Sequence, residues 1–404
     1  MTQKDLLARV TAAYAESKDG RLDNTALYKA VADESSLECR VPIGKSGQRH
    51  NLQKRTIRWQ QQTLRQLGIL ERVDRGVWQI KEQIGEHLHR ALASVKLVAY
   101  STNLGMAIWA QNSSIFPTLD EPIALCITSP PYPLAKGRAY GNPTAAEYND
   151  FITLALEPIV RNLLPGGSIV VNVSNDIFES GSPARSLYVE RMVIALNDRL
   201  GLALMDRLPW VNLAKPPGPT QWASVHRYHM NSAHEIILWF TNDPKRSRSD
   251  NRRILEPHTE TQLNLMRSGG ERRAASYGDG AYTLRPESFS RITEGRIPKN
   301  VFMRGASCAD TLATRRFAAE YGLPTHGAVF PTALPELFIK FLTQPDDLVV
   351  DVFGGTNKTG LAAERLGRRW LVTEAIVEYL AQSTGRFHQA AGFELHPLLE
   401  RFAA

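Results

Sequence analysis

The chain has 404 residues, of which 43% are hydrophobic and 22% charged, an ordinary composition for a globular protein of two or three domains. Lys and Arg outnumber Asp and Glu by 48 to 41, and this net charge of +7 favours a polyanionic partner. Three widely separated cysteines exclude a disulfide scaffold, and no apolar run approaches the roughly 18 residues of a membrane span. The N-terminal segment lacks the apolar core of a signal peptide, so we expect a cytoplasmic protein.

Residues 1–90 are predicted to form a small helical module that ends in a β-hairpin. Apolar residues recur at helical spacing over 3–16, and a second helix is expected over 24–33. A basic helix follows, and two short strands then flank a turn at 74–76. This order of two helices, a basic helix and a hairpin is typical of a winged-helix module.

After a connecting helix predicted over 86–100, the pattern changes to alternating apolar strands and amphipathic helices. Such alternation predicts an α/β fold with a mostly parallel sheet that binds ligands at the carboxyl ends of its strands. Residues 245–300 lose this periodicity and are rich in Arg, Ser and Gly, so they are interpreted as an insertion. The predicted elements are strands over 123–128, 167–173, 234–241, 347–352 and 369–374, and helices over 186–201, 335–343, 359–367 and 376–390.

A Thr-Ser-Pro-Pro-Tyr loop at 128–132 comes directly after the strand predicted over 123–128. Its two prolines fix φ and remove two backbone donors, which leaves a rigid row of carbonyl groups beside a hydroxyl and an aromatic ring. This combination suits a flat neutral group that donates hydrogen bonds, such as an exocyclic amine. Because Pro-Pro also commonly ends a strand, the loop alone leaves both interpretations open.

A second loop, Asp-Val-Phe-Gly-Gly-Thr-Asn-Lys-Thr-Gly at 351–360, joins a buried strand to a helix. Gly354 and Gly355 allow a ligand to approach the backbone closely. Glu374 ends the next strand, 23 residues after Asp351, close to where an acidic residue binds the hydroxyl groups of a ribose. The layout predicts an adenosine-binding site, and its departure from Gly-x-Gly-x-x-Gly makes a dinucleotide a poorer candidate.

Together, the Ser-Pro-Pro-Tyr and Phe-Gly-Gly-Thr-Asn loops resemble the catalytic and cofactor motifs of the S-adenosylmethionine-dependent DNA amino-methyltransferases. The catalytic motif precedes the cofactor motif, with a basic insertion between them, which is the order of the β class. The likeness covers about 120–240 and 298–390. Ser129 before Pro-Pro-Tyr, and Asn357 in the Gly-rich loop, are more typical of the cytosine-N4 branch than of the adenine-N6 branch.

The resemblance implies a Rossmann-like methyltransferase fold with a circularly permuted motif order. It divides the chain into a winged-helix DNA-binding module (1–90), a catalytic half (91–244), a target-recognition insertion (245–300) and a cofactor-binding half (301–404). The implied activity is site-specific methyl transfer to N4 of a cytosine that is flipped out of duplex DNA. The open alternatives are an adenine-N6 enzyme, methylation of RNA or of a protein amide, and a DNA-binding protein with an inactive methyltransferase fold.

The resemblance also implies which residues carry the chemistry, and the catalytic ones are Ser129, Pro130, Pro131 and Tyr132. Ser129 Oγ and the Pro130 carbonyl are expected to accept the N–H bonds of the target amine, and Tyr132 to stack on the base. Lys358, where the family usually has Thr, is expected to face solvent or the carboxylate of the methyl donor. The residues implied around S-adenosylmethionine are Asp351, Phe353, Gly354, Gly355, Thr356, Asn357, Glu374, Phe330, Pro331 and Leu334.

Two basic regions are expected to contact DNA, with subunit contact as an alternative role for the N-terminal module. No metal site is predicted, because His226, His229, His234 and Glu235 lack the spacing of a zinc-binding helix. The sequence leaves open whether a cognate restriction endonuclease exists and whether the enzyme is a monomer or a homodimer. The residues expected to contact DNA are Lys54, Arg55, Arg58, Arg246, Arg248, Arg252 and Arg253.

Overall fold

The computed structural model describes most of the chain, with gaps that fall mainly in its first ninety residues. Within the described ranges, no helix is both long and apolar enough to span a membrane. The described residues are 6, 9–10, 13–14, 17, 20–32, 41–42, 49–66, 70–80, 89–93, 95–134 and 142–402.

Where the N-terminal module is described as continuous elements, two helices pack on a three-stranded antiparallel sheet of order β1-β5-β4. Apolar residues at helical spacing bury one face of each helix, as Ile57 and Leu64 do in α2. The predicted hairpin is confirmed, whereas the helix predicted over 3–16 lies mostly outside the described residues, and the winged-helix assignment stays a prediction. The elements are β1 (Arg21–Asp23), α1 (Asn24–Val31), β2 (Val41–Pro42), β3 (Arg49–His50), α2 (Leu52–Gln66), β4 (Leu70–Asp74) and β5 (Val77–Ile80).

The rest of the described chain forms a larger α/β body. Its elements are β6 (Lys96–Ser101), β7 (Gly105–Ala110), α3 (Asn112–Ile115), β8 (Ile123–Thr128), α4 (Tyr148–Arg161), β9 (Leu163–Val173), α5 (Tyr188–Leu200), β10 (Ala203–Val211), β11 (His234–Thr241), α6 (Glu260–Arg267), β12 (Ala275–Tyr277), β13 (Tyr282–Leu284), β14 (Phe302–Met303), α7 (Ala309–Glu320), α8 (Ala333–Leu342), β15 (Leu348–Asp351), α9 (Lys358–Arg365), β16 (Arg369–Glu374), α10 (Val377–Ser383) and β17 (Glu394–Leu395).

A ten-stranded mixed sheet is the centre of this body, in the order β14-β10-β11-β9-β8-β15-β16-β7-β6-β17. The neighbouring strands β9, β8, β15, β16 and β7 all run parallel. On one side β11 is antiparallel to both β9 and β10, and on the other side β6 is antiparallel to β7. The parallel centre confirms the predicted Rossmann-like fold, and the antiparallel strands are confined to its flanks.

Both faces of the parallel strands are buried, because side chains that alternate along each strand enter two separate apolar clusters. Val349 of β15 belongs to the cluster that includes Phe338 of α8. Its neighbour Val350 belongs to the cluster that includes Leu156 of α4 and Met192 of α5. Burial on both faces is the physical reason why these strands are continuous apolar runs in the sequence.

The connecting helix predicted over 86–100 is wrong. Residues 96–101 form β6, which pairs with β7 from Lys96 opposite Ala110 to Ser101 opposite Met106. The hydrogen bonds of this hairpin, and the pairing of β7 with β16, come from tertiary partners that a local periodicity does not reveal. The hairpin therefore lies beside β16, next to the part of the chain that was predicted to bind the cofactor.

The carboxyl ends of the five parallel strands meet at one edge of the sheet, which we call the site edge. The Ser-Pro-Pro-Tyr loop follows β8, the Gly-rich loop follows β15, and Glu374 ends β16. The two loops belong to adjacent strands, since β8 pairs with β15. A parallel sheet thus brings together segments that are more than two hundred residues apart in the chain, at the edge where α/β folds bind ligands.

Candidate active site

A cavity of about 560 Å³ lies at the site edge, between the loop that follows β8 and the loop that follows β15. This volume suits a ligand the size of a nucleoside derivative. Other walls come from Gln111 after β7, from His326 before α8 and from Tyr379 of α10. The sequence-predicted residues that line the cavity are Ser129, Pro130, Pro131, Tyr132, Phe330, Phe353, Gly354, Gly355, Thr356 and Glu374.

Four predicted cofactor residues lie behind the wall of the cavity instead of lining it. Asp351, Asn357, Pro331 and Leu334 are all buried, and Leu334 packs in an apolar core cluster. Because none of them lines the cavity, their positions favour a supporting role over direct contact with a ligand. The sequence pattern identifies the correct loops but does not separate the residues that face the cavity from those that hold the loop in place.

Asp351 at the end of β15 joins the two loops. Its carboxylate accepts hydrogen bonds from Thr128 Oγ1 at 2.8 Å, from Thr359 Oγ1 at 2.7 Å and from the Phe353 amide at 3.0 Å. Burial raises the pKa of Asp351 to about 6, and the three donors oppose that shift. The buried carboxylate therefore fixes the start of the Gly-rich loop, the start of α9 and the strand end that carries Ser129.

Asn357 has a local structural function at the start of α9. It adopts a left-handed backbone conformation with φ of 51°, which Asn tolerates better than most residues. Its Oδ1 caps the helix by accepting from the Gly360 amide at 2.9 Å, and its Nδ2 donates to Tyr100 OH at 2.8 Å. The side chain thereby ties the Gly-rich loop to β6, the strand that the sequence analysis did not predict.

Glu374 projects a carboxylate into the wall of the cavity at the end of β16. One oxygen accepts from the Gly355 amide at 2.7 Å and the other from the Ile376 amide at 2.8 Å. Burial raises the pKa of Glu374 to about 7, against the lowering effect of these amides. Each carboxylate oxygen can accept a second hydrogen bond, so Glu374 can bind a vicinal pair of hydroxyl groups.

The Gly-rich loop packs too closely for side chains at its two glycines. A Cβ on Gly354 would lie 2.1 Å from Val372 Cγ1, and Gly355 has a positive φ of 51°. The rings of Phe353 and Phe151 stack with centroids 5.4 Å apart, and both line the cavity. The loop therefore exposes backbone and an aromatic wall to the ligand, as a site for a purine nucleoside requires.

Lys358 turns away from solvent into the protein, where it also contributes to the wall of the cavity. The expectation that it faces the carboxylate of the methyl donor stays a prediction. Its Nζ donates to Thr311 Oγ1 at 2.5 Å and to the Phe330 carbonyl at 2.6 Å, and only 3% of the residue is exposed. Burial, followed by the nearby Arg386 cation, lowers the pKa of Lys358 to about 8. The expectation that it faces solvent is therefore wrong, and the residue instead anchors the 326–332 segment to α9.

On the opposite side of the cavity, the hydroxyl groups of Ser129 and Tyr132 lie 2.8 Å apart. Asn172 Nδ2 donates to Tyr132 OH at 3.1 Å and to Glu235 Oε2 at 3.0 Å, while the Tyr132 hydroxyl itself hydrogen-bonds Glu235. A phenol has one proton to donate. When Glu235 accepts that proton, Ser129 donates to Tyr132 and directs its oxygen lone pairs toward the cavity.

Glu235 is thus a site residue that the sequence analysis missed, together with Asn172. Burial raises the pKa of Glu235. Lys215 Nζ lies 4.0 Å from Glu235 Oε1 and 2.7 Å from Asp176 Oδ2, so the polar chain continues away from the cavity. The available signal was a buried polar side chain near the end of an apolar strand, since Asn172 directly follows the Ile-Val-Val run of β9.

The arginines at 246–253 lie at the opposite edge of the sheet from the cavity. The Arg248 amide donates to the Gly166 carbonyl near the start of β9, and the Arg248 guanidinium pairs with Asp347 at 2.7 Å, just before β15 begins. Arg253 donates to the Thr343 carbonyl at 3.1 Å, and Arg252 pairs with Asp250 at 2.8 Å. This position places them away from the cavity, and their contact with DNA stays a prediction. Arg246 belongs to the same segment and lies 4.0 Å from Asp243.

The three basic residues predicted on the N-terminal helix lie on α2. Arg55 and Arg58 are exposed, whereas the Lys54 ammonium lies 5.4 Å from the centroid of the Tyr28 ring. The position of these side chains is compatible with DNA contact and does not test it. Their contact with DNA stays a prediction.

The site and the fold define a nucleic-acid methyltransferase, and comparison with known proteins assigns the family. The chain belongs to the N6/N4 methyltransferase family, described as DNA methylases, whose model matches residues 123–385. The predicted family is therefore confirmed.

The relatives of this chain include two bacterial modification enzymes. Type II methyltransferase M.PvuII of Proteus hauseri is 34% identical over 297 residues, which are 72% of this chain and 86% of that protein. Type II methyltransferase M.BglII of Bacillus subtilis is 25% identical over 268 residues, 65% of this chain and 62% of that protein. Among solved structures, PvuII DNA methyltransferase (cytosine-N4-specific) superposes with a TM-score of 0.58 at 29% identity and covers 77% of this chain and 95% of that chain.

Proposed function

We propose that this protein transfers a methyl group from S-adenosylmethionine to the exocyclic N4 amine of cytosine in duplex DNA. The observation that carries the proposal is the shared cavity, in which Ser129 and Tyr132 face Glu374 and the Gly-rich loop. The similarity to the cytosine-N4-specific PvuII enzyme, and Ser129 before Pro-Pro-Tyr, support cytosine as the target base.

The residues around the cavity suit S-adenosylmethionine. Glu374 offers acceptors for two ribose hydroxyl groups, and the glycine backbone leaves space that a Cβ at Gly355 would narrow, 3.4 Å from His326 Nε2. Phe353 and Tyr379 provide apolar walls for the adenine ring and the donor chain. The bound donor supplies a methyl group on a positively charged sulfur, which is the chemistry that a weak nucleophile requires.

The catalytic loop has to make the target amine more nucleophilic. The lone pair of the cytosine amine is delocalised into the ring, so acceptors that draw its N–H bonds out of the ring plane favour the transition state. Ser129 Oγ and the Pro130 carbonyl are the acceptors, and Tyr132 packs against the ring. Asn172 and Glu235 hold the hydroxyl pair in the orientation that turns Ser129 into an acceptor.

The finer assignments rest on the same proposal. The target base has to leave the duplex to reach the cavity, and α2 with Lys54, Arg55 and Arg58 is suited to bind the phosphate backbone. Similarity to Type II methyltransferases supports a site-specific restriction–modification role, with a cognate endonuclease as partner in the cytoplasm. The insertion 245–300 is proposed to take part in target recognition through residues beyond 254, which lead back toward the site edge at β14.

The test is a methyl-transfer assay on unmethylated genomic DNA with S-adenosylmethionine, read by nucleoside mass spectrometry. We expect N4-methylcytosine with the wild type and at least a hundredfold less with Ser129→Ala, since loss of one transition-state partner costs about 10²–10³-fold. N6-methyladenine as the product would overturn the choice of base and leave the reaction class intact. Failure to methylate any DNA, with the protein folded and binding the donor, would overturn the proposal.

A further inference from the structure

Residues 212–233 form a long connection between β10 and β11 at the site edge, and backbone hydrogen bonds hold its two ends together. The Asn212 amide donates to the Ala233 carbonyl at 2.7 Å, and the Ser232 amide donates to the Gly218 carbonyl at 2.8 Å. Lys215 pairs with Asp176 at 2.7 Å, and this ion pair joins the start of the connection to the chain of polar side chains that ends at Tyr132. We call residues 221–230 the tip of this connection.

The tip is preorganised by stacked rings. The Trp222 carbonyl accepts from the Tyr228 amide at 2.8 Å, and the rings of these two residues lie nearly parallel at 13° with centroids 6.5 Å apart. The His226 ring lies beside both, 5.7 Å from the ring of Tyr228 and 5.2 Å from that of Trp222. Arg227 has a positive φ of 61°, an uncommon conformation for a residue with a side chain, which tends to occur at functional sites.

The tip carries large apolar side chains that are exposed to solvent in the described part of the chain. Val225 and Tyr228 are each 67% exposed, and Met230 is 89% exposed. Exposed apolar groups held in one place mark a surface for a partner. From Arg207 to His234 the sequence has no Asp or Glu, and Arg227 adds a positive charge at the tip, whereas the charge of Lys215 is paired with Asp176. The partner is therefore expected to be both negatively charged and apolar where the tip reaches it.

Duplex DNA has these two properties, because phosphates surround a stack of apolar bases. We propose that the tip enters the duplex where the target base leaves, and that Tyr228 and Met230 fill the space that the base vacates. The inference rests on the proposed function, since only an enzyme that flips a base creates such a space. Flipping costs a few kcal/mol of lost stacking, and an apolar wedge stabilises the open state.

The strand order of the sheet places the tip near the loop that is proposed to receive the target base. β11 and β8 are separated only by β9. The end of the connection that enters β11 and the Ser-Pro-Pro-Tyr loop are therefore two strand spacings apart, about 10 Å. The tip and the target-base pocket therefore act on the same stretch of duplex. This function is distinct from that of Tyr132, which packs on the extruded base.

The test uses fluorescence anisotropy with two DNA duplexes of the same sequence, one intact and one with a single abasic site. It needs neither methyl transfer nor a known recognition sequence. A wedge prefers DNA in which a stacking position is already empty, so we expect the wild type to bind the abasic duplex about fivefold or more tightly. The Tyr228→Ala/Met230→Ala variant is expected to bind both duplexes equally. Ile194→Ala, on the exposed face of α5, is the control that keeps the preference.

Thermal melting of each variant shows that the fold is retained. Equal binding of both duplexes by the wild type, a preference that persists in the double variant, or a loss of affinity that is the same for both duplexes would each overturn the proposal. Failure of the proposed function gives a different result, namely the absence of methylated base from the assay with S-adenosylmethionine, whatever the duplex preference.

Discussion

Thr128 Oγ1 donates a hydrogen bond of 2.8 Å to Asp351 Oδ1 at the junction of two parallel strands. Both residues are almost completely buried, so the bond forms in a place where water does not compete. Ser129 follows Thr128 directly, and the Gly-rich loop follows Asp351. This side-chain hydrogen bond therefore adds to the pairing of β8 with β15 in positioning the Ser129 hydroxyl relative to the Gly-rich loop.

Replacing Thr128 with Val tests this link, because Val has the same shape and lacks the hydroxyl. Loss of the hydrogen bond to a buried carboxylate is expected to lower the free energy of unfolding by about 1–3 kcal/mol. Turnover should fall more than donor affinity, since Ser129 shifts while Glu374 stays in place. Denaturant unfolding and steady-state kinetics measure both effects.

Thr241→Val is the matched control for that variant. Thr241 is also buried and donates to the Gly167 carbonyl at 2.8 Å, but it lies at the edge of the sheet opposite the cavity. The control should lose stability and keep its turnover. If Thr128→Val loses no more turnover than Thr241→Val, the bond has no effect on the catalytic loop.

The carboxylate of Glu374 predicts that donor affinity depends on pH. Because its pKa is raised to about 7, the group takes up a proton as the pH falls through that value and then accepts hydrogen bonds less well. The dissociation constant of S-adenosylmethionine should therefore increase between roughly pH 8 and pH 6. Isothermal titration calorimetry over this range measures the effect.

Glu374→Gln should bind the donor about 10- to 100-fold more weakly and without this pH dependence, since a hydrogen bond to a charged group contributes about 1.5–3 kcal/mol. Glu190→Gln, on the exposed surface of α5, is the control that keeps the wild-type profile. A donor affinity that is constant with pH in the wild type would contradict the assignment of Glu374.

Glu235 is predicted to position Tyr132 and Ser129 and not to contact the base. Glu235→Gln should reduce turnover roughly tenfold, the effect of about 1.4 kcal/mol, and leave donor affinity unchanged. Because burial raises the pKa of Glu235, wild-type turnover should fall on the acidic side at a pH above the usual range of a glutamate. The variant should lack that acidic limb.

The pH profile of turnover distinguishes this role from a purely structural one. Glu320→Gln, at the exposed end of α7, serves as control. An acidic limb that persists unchanged in Glu235→Gln would show that another group titrates.

The position of Arg248 predicts a structural effect and no effect on DNA binding. Arg248→Ala removes the pair with Asp347 and should lower the free energy of unfolding by about 1 kcal/mol. DNA affinity should stay within roughly twofold, because this side chain lies at the edge away from the cavity. By contrast, Arg227→Ala at the tip should weaken DNA binding and reduce the slope of log K against log salt by about 1. Salt titrations of both variants give the comparison, and a reduced slope for Arg248→Ala would restore its proposed contact with DNA.

The strands and loops at the site could be predicted because their signals are local. Apolar runs of β8, β15 and β16 are each followed by residues that no core would require, such as Pro130 and Gly355. The β6–β7 hairpin could not be predicted in this way, because its stability comes from pairing with β16. Asn172 and Glu235 gave only a weak signal, since isolated polar residues near strand ends are common and their partner Tyr132 is distant in sequence.

The basic residues show a second limit of sequence patterns. A cluster of arginines indicates charge but not the edge of the sheet at which the chain lies. Arg252 pairs with Asp250 of its own segment, whereas Arg248 pairs with Asp347, which is distant in sequence and lies close by because α8 ends beside the start of β15. The same limit applies to Lys358, whose acceptors on Thr311 and Phe330 come from separate segments.

The cavity takes its walls from segments that are far apart in the order of synthesis. Gln111 follows β7 near the beginning of the body, whereas Phe353 and Glu374 come near the end. A growing chain on the ribosome carries the complete Ser-Pro-Pro-Tyr loop long before it has a place for the methyl donor. The enzyme therefore gains its donor pocket only after translation has passed Tyr379, and a partly made chain with a complete Ser-Pro-Pro-Tyr loop cannot yet transfer a methyl group.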